Sequence, residues 1–310
     1  MEDNLKNAIN NFYTGKCKDF HQTVLQIRQS YAALLREQSD FSFLTQESNL
    51  KSFRTVRGQM WGIFLSLGKF DCPDVENLFS DVTVSKYQEM VRYSHDEIDR
   101  IKKGEQRFIG INDKEYSVWL TLFSGYIYKE KKRVFSQETY TFGIMFLKNF
   151  DTLTAYQAYV HLMNPIKNSL LFNTTKVTKL CEISYEIISA SDADLSKYFE
   201  EKKDVCSPFL TSYAPLSSLF TQLQPIESVE LFWDFLLIYG IEFCVYLQAS
   251  WLILRKDDII NNHKANIASD HAFRQRPVDL IMKAVQIYQN LDTDAQRNLQ
   301  SRIHDALYDE

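Results

Sequence analysis

Arg57-Gly58-Gln59-Met60-Trp61-Gly62-Ile63-Phe64-Leu65-Ser66-Leu67-Gly68 has the apolar spacing of a helix that turns one face inward. Over Ser52–Gly68, Val56, Met60, Ile63, Phe64 and Leu67 recur at the interval that lines one side of a helical turn. Gly68 past the last turn, followed by Cys72-Pro73-Asp74, supplies the stop signals.

The neighbouring segments carry the same signature. From Cys17 to Gln38, Phe20, Val24, Ile27, Tyr31, Leu34 and Leu35 form the apolar face of an amphipathic helix. The polar segment Ser39 to Asn49 connects that helix to the one at Arg57. Helical periods return in Asp74–Met90, Asp113–Tyr128, Gln137–Asn149, Thr152–Met163 and Thr174–Ala190. Between them Tyr93–Arg107 turns polar, with Ser94 placed as an N-cap before His95-Asp96-Glu97. Beyond Arg276-Pro277, the residues Leu280, Ile281, Ala284, Ile287 and Tyr288 keep helical register.

Val229 to Leu254 is apolar enough to raise the question of a membrane span, but Asp234 and Glu242 lie inside it. Each acid would cost about 2.5–3.5 kcal/mol at a bilayer centre. The segment therefore reads as two buried helices broken near Gly240.

The totals agree with an all-α chain. Among 310 residues only 9 are Gly and 6 Pro, too few breakers for a fold built of strands and turns. Apolar residues make up 45% and aromatics 14%, enough for a substantial core. Proline disfavours helix in the residue before it, which makes Asn164-Pro165 the internal boundary. The expectation is a single domain of two packed helical lobes, residues 1–164 and 165–310. No repeat at a fixed period suggests a solenoid.

Several classes of chemistry are excluded. A formal charge of −5 is not the footprint of a nucleic-acid binder. The densest basic run, Lys129-Glu130-Lys131-Lys132-Arg133, is short and carries an acid, so it reads as a solvated loop. Cys17, Cys72, Cys181, Cys206 and Cys244 make no CxxC pair, the pattern of reduced cytosolic thiols. The start, Met1-Glu2-Asp3-Asn4-Leu5, is acidic and polar, so no secretory leader is expected and the cytoplasm is the expected compartment. There is no GxxxxGK[ST] loop, no HExxH and no GxSxG. The six histidines form no cluster with Cys or acids, so no metal and no cofactor of the chain's own is expected.

Four motifs together resemble the TBC family of GTPase-activating proteins. Arg57-Gly58-x-x-Trp61, running on to Gly68, is similar to the family's first motif. Pro215 followed by Trp233-Asp234 and Gly240 is similar to its last. Between them lie Ile101-x-x-Gly104-x-x-Arg107 and Tyr140-Thr141-Phe142-Gly143-Ile144-Met145, which resemble the two finger motifs. The resemblance extends over nearly the whole chain and implies an all-α, two-lobe fold of the TBC type.

It also implies a function. The family inserts two side chains beside the GTP of a small Rab-like GTPase, so GTP and Mg²⁺ would belong to that partner. An arginine finger neutralises charge growing on the phosphoryl group and is worth roughly 10³–10⁵ in rate. A glutamine finger orients the attacking water. Arg107 matches the first, but Gly104 replaces the acid that helps to orient it and loosens the local backbone. Phe142 stands in the glutamine position, where a benzyl ring cannot align water. Ile101, Tyr140 and Gly143 complete these motifs.

The chain is accordingly expected not to be an enzyme by itself. It reads either as an activator working through Arg107 or as a pseudo-GAP that holds the GTPase as a scaffold. In layout it is similar to the checkpoint subunit that restrains the mitotic-exit GTPase at spindle poles. That likeness implies a second regulatory subunit as co-partner. The alternatives are a degenerate Rab regulator of vesicle traffic and a helical interaction module without a GTPase partner.

Overall fold

The computed structural model describes residues 2–16, 19–37, 40–65, 137–170, 173–202, 208–221, 223, 226–262 and 275–308. These residues form helices α1 (Glu2–Tyr13), α2 (Phe20–Arg36), α3 (Val56–Phe64), α4 (Gln137–Asn149), α5 (Thr152–Leu170) and α6 (Thr174–Ser191). They continue with α7 (Ala193–Glu201), α8 (Pro208–Ser217), α9 (Ile226–Tyr239), α10 (Cys244–Leu254), α11 (Lys256–Asn262), α12 (Pro277–Asn290) and α13 (Thr293–Leu307). Short 3₁₀ turns occupy Ser42–Thr45 and Ile241–Phe243. Among the described residues there is no strand, only the isolated bridges Glu47–Thr55 and Phe53–Phe150. The chain is all-α, as its few breakers predict. The helices expected over Asp74–Met90 and Asp113–Tyr128, the polar stretch Tyr93–Arg107 with its Ser94 cap, and the basic loop Lys129–Arg133 lie outside the described residues.

Backbone proximity divides the chain into two compact units. One comprises Met1–Leu5, Leu25–Ser39 and Pro165–Glu310; the other comprises Lys6–Val24 and Asp40–Asn164.

In the larger unit α6 packs against α7, α8, α10 and α13, while α10 also packs on α8 and α12. Every residue of α10 from Cys244 to Leu252 is buried, so this stretch has no solvent-facing side and its composition is predominantly apolar. Tyr239 ends α9, and Gly240, at φ 123°, provides the left-handed residue that turns the chain into the 3₁₀ segment. The apolar stretch Val229–Leu254 is therefore two helices, and no helix among the described residues is long and apolar enough to cross a membrane. Arg28 of α2 donates Nε–H to the Ile238 carbonyl at 2.8 Å, and Tyr239 donates its hydroxyl to the Arg28 carbonyl at 3.2 Å. The loop-side starts are capped by side chains: Asn173 accepts from Lys176 N–H, Asp192 from Leu195 N–H and Asp292 from Ala295 N–H.

The smaller unit is built around aromatic rings. Trp61 of α3 lies edge-on to Phe146 of α4 at 6.1 Å between centroids, and Phe150 packs on Phe146 at 6.0 Å. Phe53 joins Phe150 at 5.8 Å and Tyr13 at 5.1 Å.

Two elements differ from the sequence reading. The helix expected to end near Met163 runs on to Leu170, straight through Pro165. Proline removes only the bond to the His161 carbonyl, and both residues are exposed, so water can satisfy that oxygen. The helix expected from Ser52 starts at Val56, because a turn at Ser52 and isolated bridges from Phe53 to Phe150 and from Thr55 to Glu47 hold residues 52–55 out of the helix.

Candidate functional site

The Arg57-Gly58-x-x-Trp61 motif opens α3, with Thr55 as its N-cap. Thr55 Oγ1 accepts Gly58 N–H at 3.0 Å and donates its own proton to Asn149 Oδ1 at 2.6 Å. Asn149, the last residue of α4 and buried, donates Nδ2–H to the Met145 carbonyl at 3.0 Å. Main-chain bonds run parallel to this side-chain link. Arg54 N–H donates to the Asn149 carbonyl at 2.9 Å, Asp151 N–H to the Ser52 carbonyl at 3.1 Å, and Arg54 Nε–H to the Phe150 carbonyl at 2.6 Å.

The two glycines of α3 allow this close approach. A β-carbon on Gly58 would run into the carbonyl of Asn149. One on Gly62 would lie 2.6 Å from the ring of Phe53 and 2.7 Å from the Tyr13 hydroxyl. That hydroxyl donates to the Gln59 carbonyl at 2.8 Å, and burial raises its pKa above the usual tyrosine value. Arg57 and Trp61 are both buried, Trp61 completely. The first motif is thus a packing device that fixes α3 on the C-terminal end of α4.

Helix α4 carries the second finger motif. Phe142 is fully buried, and Gly143, Ile144 and Met145 beside it are buried too. Phe142, Phe146 and Phe150 succeed one another at four-residue spacing, so they line one side of the element, the side that meets Trp61. Tyr140 lies in the first turns of the same helix. The Phe142 ring has no exposed surface. The arginine-finger motif, Ile101, Gly104 and Arg107, lies outside the described residues, so its distance from Phe142 does not enter.

In the larger unit Trp233 and Asp234 sit on α9, both buried. Trp233 Nε1–H donates to the Leu219 carbonyl at 2.9 Å. That carbonyl belongs to a turn after α8 in which Leu219 (φ 43°) and Phe220 (φ 68°) are both left-handed. Two successive bulky residues in that region are costly, and the surroundings have to over-determine them. They do: Phe220 N–H donates to the Pro215 carbonyl at 2.8 Å, Ser218 Oγ–H to the Ala214 carbonyl at 2.7 Å and Thr221 Oγ1–H to the Ser218 carbonyl at 2.8 Å. The Phe220 ring also packs on Phe232 at 5.6 Å. Pro215 and Trp233 are therefore two ends of one buried turn.

Sequence reasoning missed Thr55, Asn149, Leu219 and Phe220. Thr55 carried a usable signal, a hydroxyl residue directly before a helical run. Asn149 and the two left-handed residues carried none, because their roles depend on long-range partners.

A helical frame in which one motif seats α3 on α4 and another pins a turn under α9 defines a TBC-type all-α domain. The family model of the Rab-GTPase-TBC domain matches residues 55–260, from the N-cap of α3 into α11, and the chain belongs to that family. Membership implies a regulator that activates or binds a Rab-type GTPase, with a small GTPase as its partner. No curated protein was found to match the chain. Among the described residues no group of three or more His, Cys, Asp or Glu is placed to hold a metal ion.

Proposed function

We propose that the chain regulates a small Rab-like GTPase with its arginine finger kept and its glutamine finger lost. The observation that carries this reading is the complete burial of Phe142. A finger must reach out of its own domain into the partner's nucleotide site, and a ring without exposed surface has nothing to insert. The position matching the glutamine is spent on the buried core, one turn before the Phe146 ring that packs on Trp61. Arg107 is then the one group left to act on the phosphoryl charge, with GTP and Mg²⁺ held by the GTPase.

The setting that fits best is mitotic-exit control in the cytoplasm, at spindle poles, alongside a second regulatory subunit. The likeness in layout to the checkpoint subunit supports that setting. A regulator of vesicle traffic is the second reading, favoured by the Rab-type family to which residues 55–260 belong.

Single-turnover GTP hydrolysis on a panel of GTP-loaded small GTPases tests the reading. Stimulation abolished by Arg107→Ala supports an activator in which the GTPase uses its own glutamine. Tight binding of a GTP-loaded partner without stimulation supports a scaffold. Neither binding nor stimulation across the panel would overturn both.

A further inference from the structure

A cleft of about 280 Å³ opens in the smaller unit between α1, α3 and the segment 46–49. Its polar lining includes Lys6, Asn10, Gln46, Glu47, Asn49 and Gln59. Apart from Val56 and Gln59, its lining residues precede the segment 55–260 that the family model matches. Among the described residues the cleft therefore lies largely outside the segment that the family model matches.

Two features specify what it can hold. The first is an open main-chain edge. Glu47 faces Thr55 in an antiparallel bridge flanked by Ser48 N–H to the Arg54 carbonyl and Val56 N–H to the Gln46 carbonyl, both 3.0 Å. This is the non-hydrogen-bonded pair of such a ladder, so the N–H and C=O of Glu47 point away from Thr55. Neither group has a partner among the described residues. An exposed edge of this kind is a template for another strand.

The second feature is the side-chain chemistry. Asn10, Gln46, Asn49 and Gln59 are carboxamides, each with a donor and an acceptor, the same pair that a peptide group presents. Gln59 is buried and already oriented, its Nε2–H donated to Asn49 Oδ1 at 3.1 Å. Among the described lining residues one ammonium and one carboxylate, Lys6 and Glu47, leave no net charge, which disfavours a polyanion.

We propose that this cleft takes an extended peptide segment of another protein, which pairs through its main chain with Glu47 and sets polar, uncharged side chains among the carboxamides. Nothing in this proposal rests on the GTPase reading.

The test is to pan a library of random peptides on the full chain and measure the selected peptides by fluorescence polarisation. Exchange of the Glu47 amide is followed by NMR in parallel. Selected peptides are expected to slow that exchange. Glu47→Pro is expected to weaken them about tenfold by removing one main-chain donor. The substitution breaks no internal bond, because Glu47 N–H makes none, and Gln46, at φ −62° and ψ 146°, already has the conformation required before proline. Should Glu47→Pro lower the Tm, Asn10→Leu on the exposed face of α1 decides instead. The proposal is overturned if no peptide is enriched, if the folded variant binds as tightly as the parent chain, or if Glu47 exchange is unchanged by bound peptide.

Discussion

Thr55 and Asn149 stand 94 residues apart in sequence, and their side chains meet at 2.6 Å. The contact joins the N-cap of one motif-bearing helix to the last residue of another. The same Thr55 oxygen caps α3, so a single hydroxyl both starts that helix and seats it on α4.

Replacing Thr55 with valine keeps the shape and removes the hydroxyl. The cap of α3 is lost, and a buried carboxamide loses one donor. The expected destabilisation is about 1–3 kcal/mol. Thr55→Ser should restore most of it. Urea midpoints at constant slope report the difference. A valine variant as stable as the parent would mean that the bonds of Arg54 and Asp151 hold the junction without the hydroxyl.

Gly58 and Gly62 should respond differently to alanine. Substitution in a helix interior gains roughly 1 kcal/mol of propensity at either position. At Gly58 the new methyl meets the main-chain carbonyl of Asn149, which cannot move without breaking the bond from Arg54 N–H. At Gly62 it meets the Phe53 ring and the Tyr13 hydroxyl, side-chain ends with some freedom to shift. Gly58→Ala should therefore be destabilising by about 1–3 kcal/mol net, and Gly62→Ala by less. Thermal unfolding of the two variants side by side gives the ranking.

Much of the helical order was legible before the structure, and the reasons are local. Gln137–Asn149 was bounded from periodicity alone, and Gly240 marked the break between α9 and α10. Pro277 marked the start of α12, where its missing N–H costs nothing. What could not be read was long-range. Ser39–Asn49 looks like a polar connector, yet Phe41, Phe43 and Leu44 are buried within it. Helices α1 and α7 did carry a local signal that the sequence reading passed over: Leu5, Ala8, Ile9, Phe12 and Tyr13 in one, and Leu195, Tyr198 and Phe199 in the other, stand at helical spacing. For the site, spacing picked out Trp61, Phe142 and Trp233, but all three prove to be buried, and burial is set by tertiary neighbours that no local pattern contains.

Trp233→Phe isolates one hydrogen bond. Phenylalanine keeps most of the apolar volume but leaves the Leu219 carbonyl without its indole donor in a buried turn. Loss of a buried partner costs about 1–3 kcal/mol, before any cavity from the smaller ring. Because Leu219 and Phe220 are left-handed, the released turn should relax toward ordinary φ values. Amide exchange at Phe220 and Thr221 should then rise more than exchange in α6. Uniform loosening across the unit would argue against a local role for the indole.

The last prediction concerns alkaline stability. Cys181 on α6 is buried, and its thiol is pushed up from 9.0 to about 12, first by burial and then by the charge of Glu182. A raised folded-state pKa means that the folded chain holds this proton while the unfolded chain releases it. Below pH 9 the two states carry the same proton and stability does not depend on it. Between about pH 9 and 12 the unfolded state binds fewer protons, so stability falls as pH rises. Tyr246, pushed up from 10.0 to about 12 by burial and by Tyr288 beside it, adds a loss that begins one unit higher. Cys181→Ala should lower stability at pH 7 through the lost sulfur packing, yet make the decline above pH 9 shallower. Urea unfolding of both chains at pH 8, 9.5 and 10.5 separates these effects, and parallel curves would show that the Cys181 thiol ionises as readily in the folded chain as in the unfolded one.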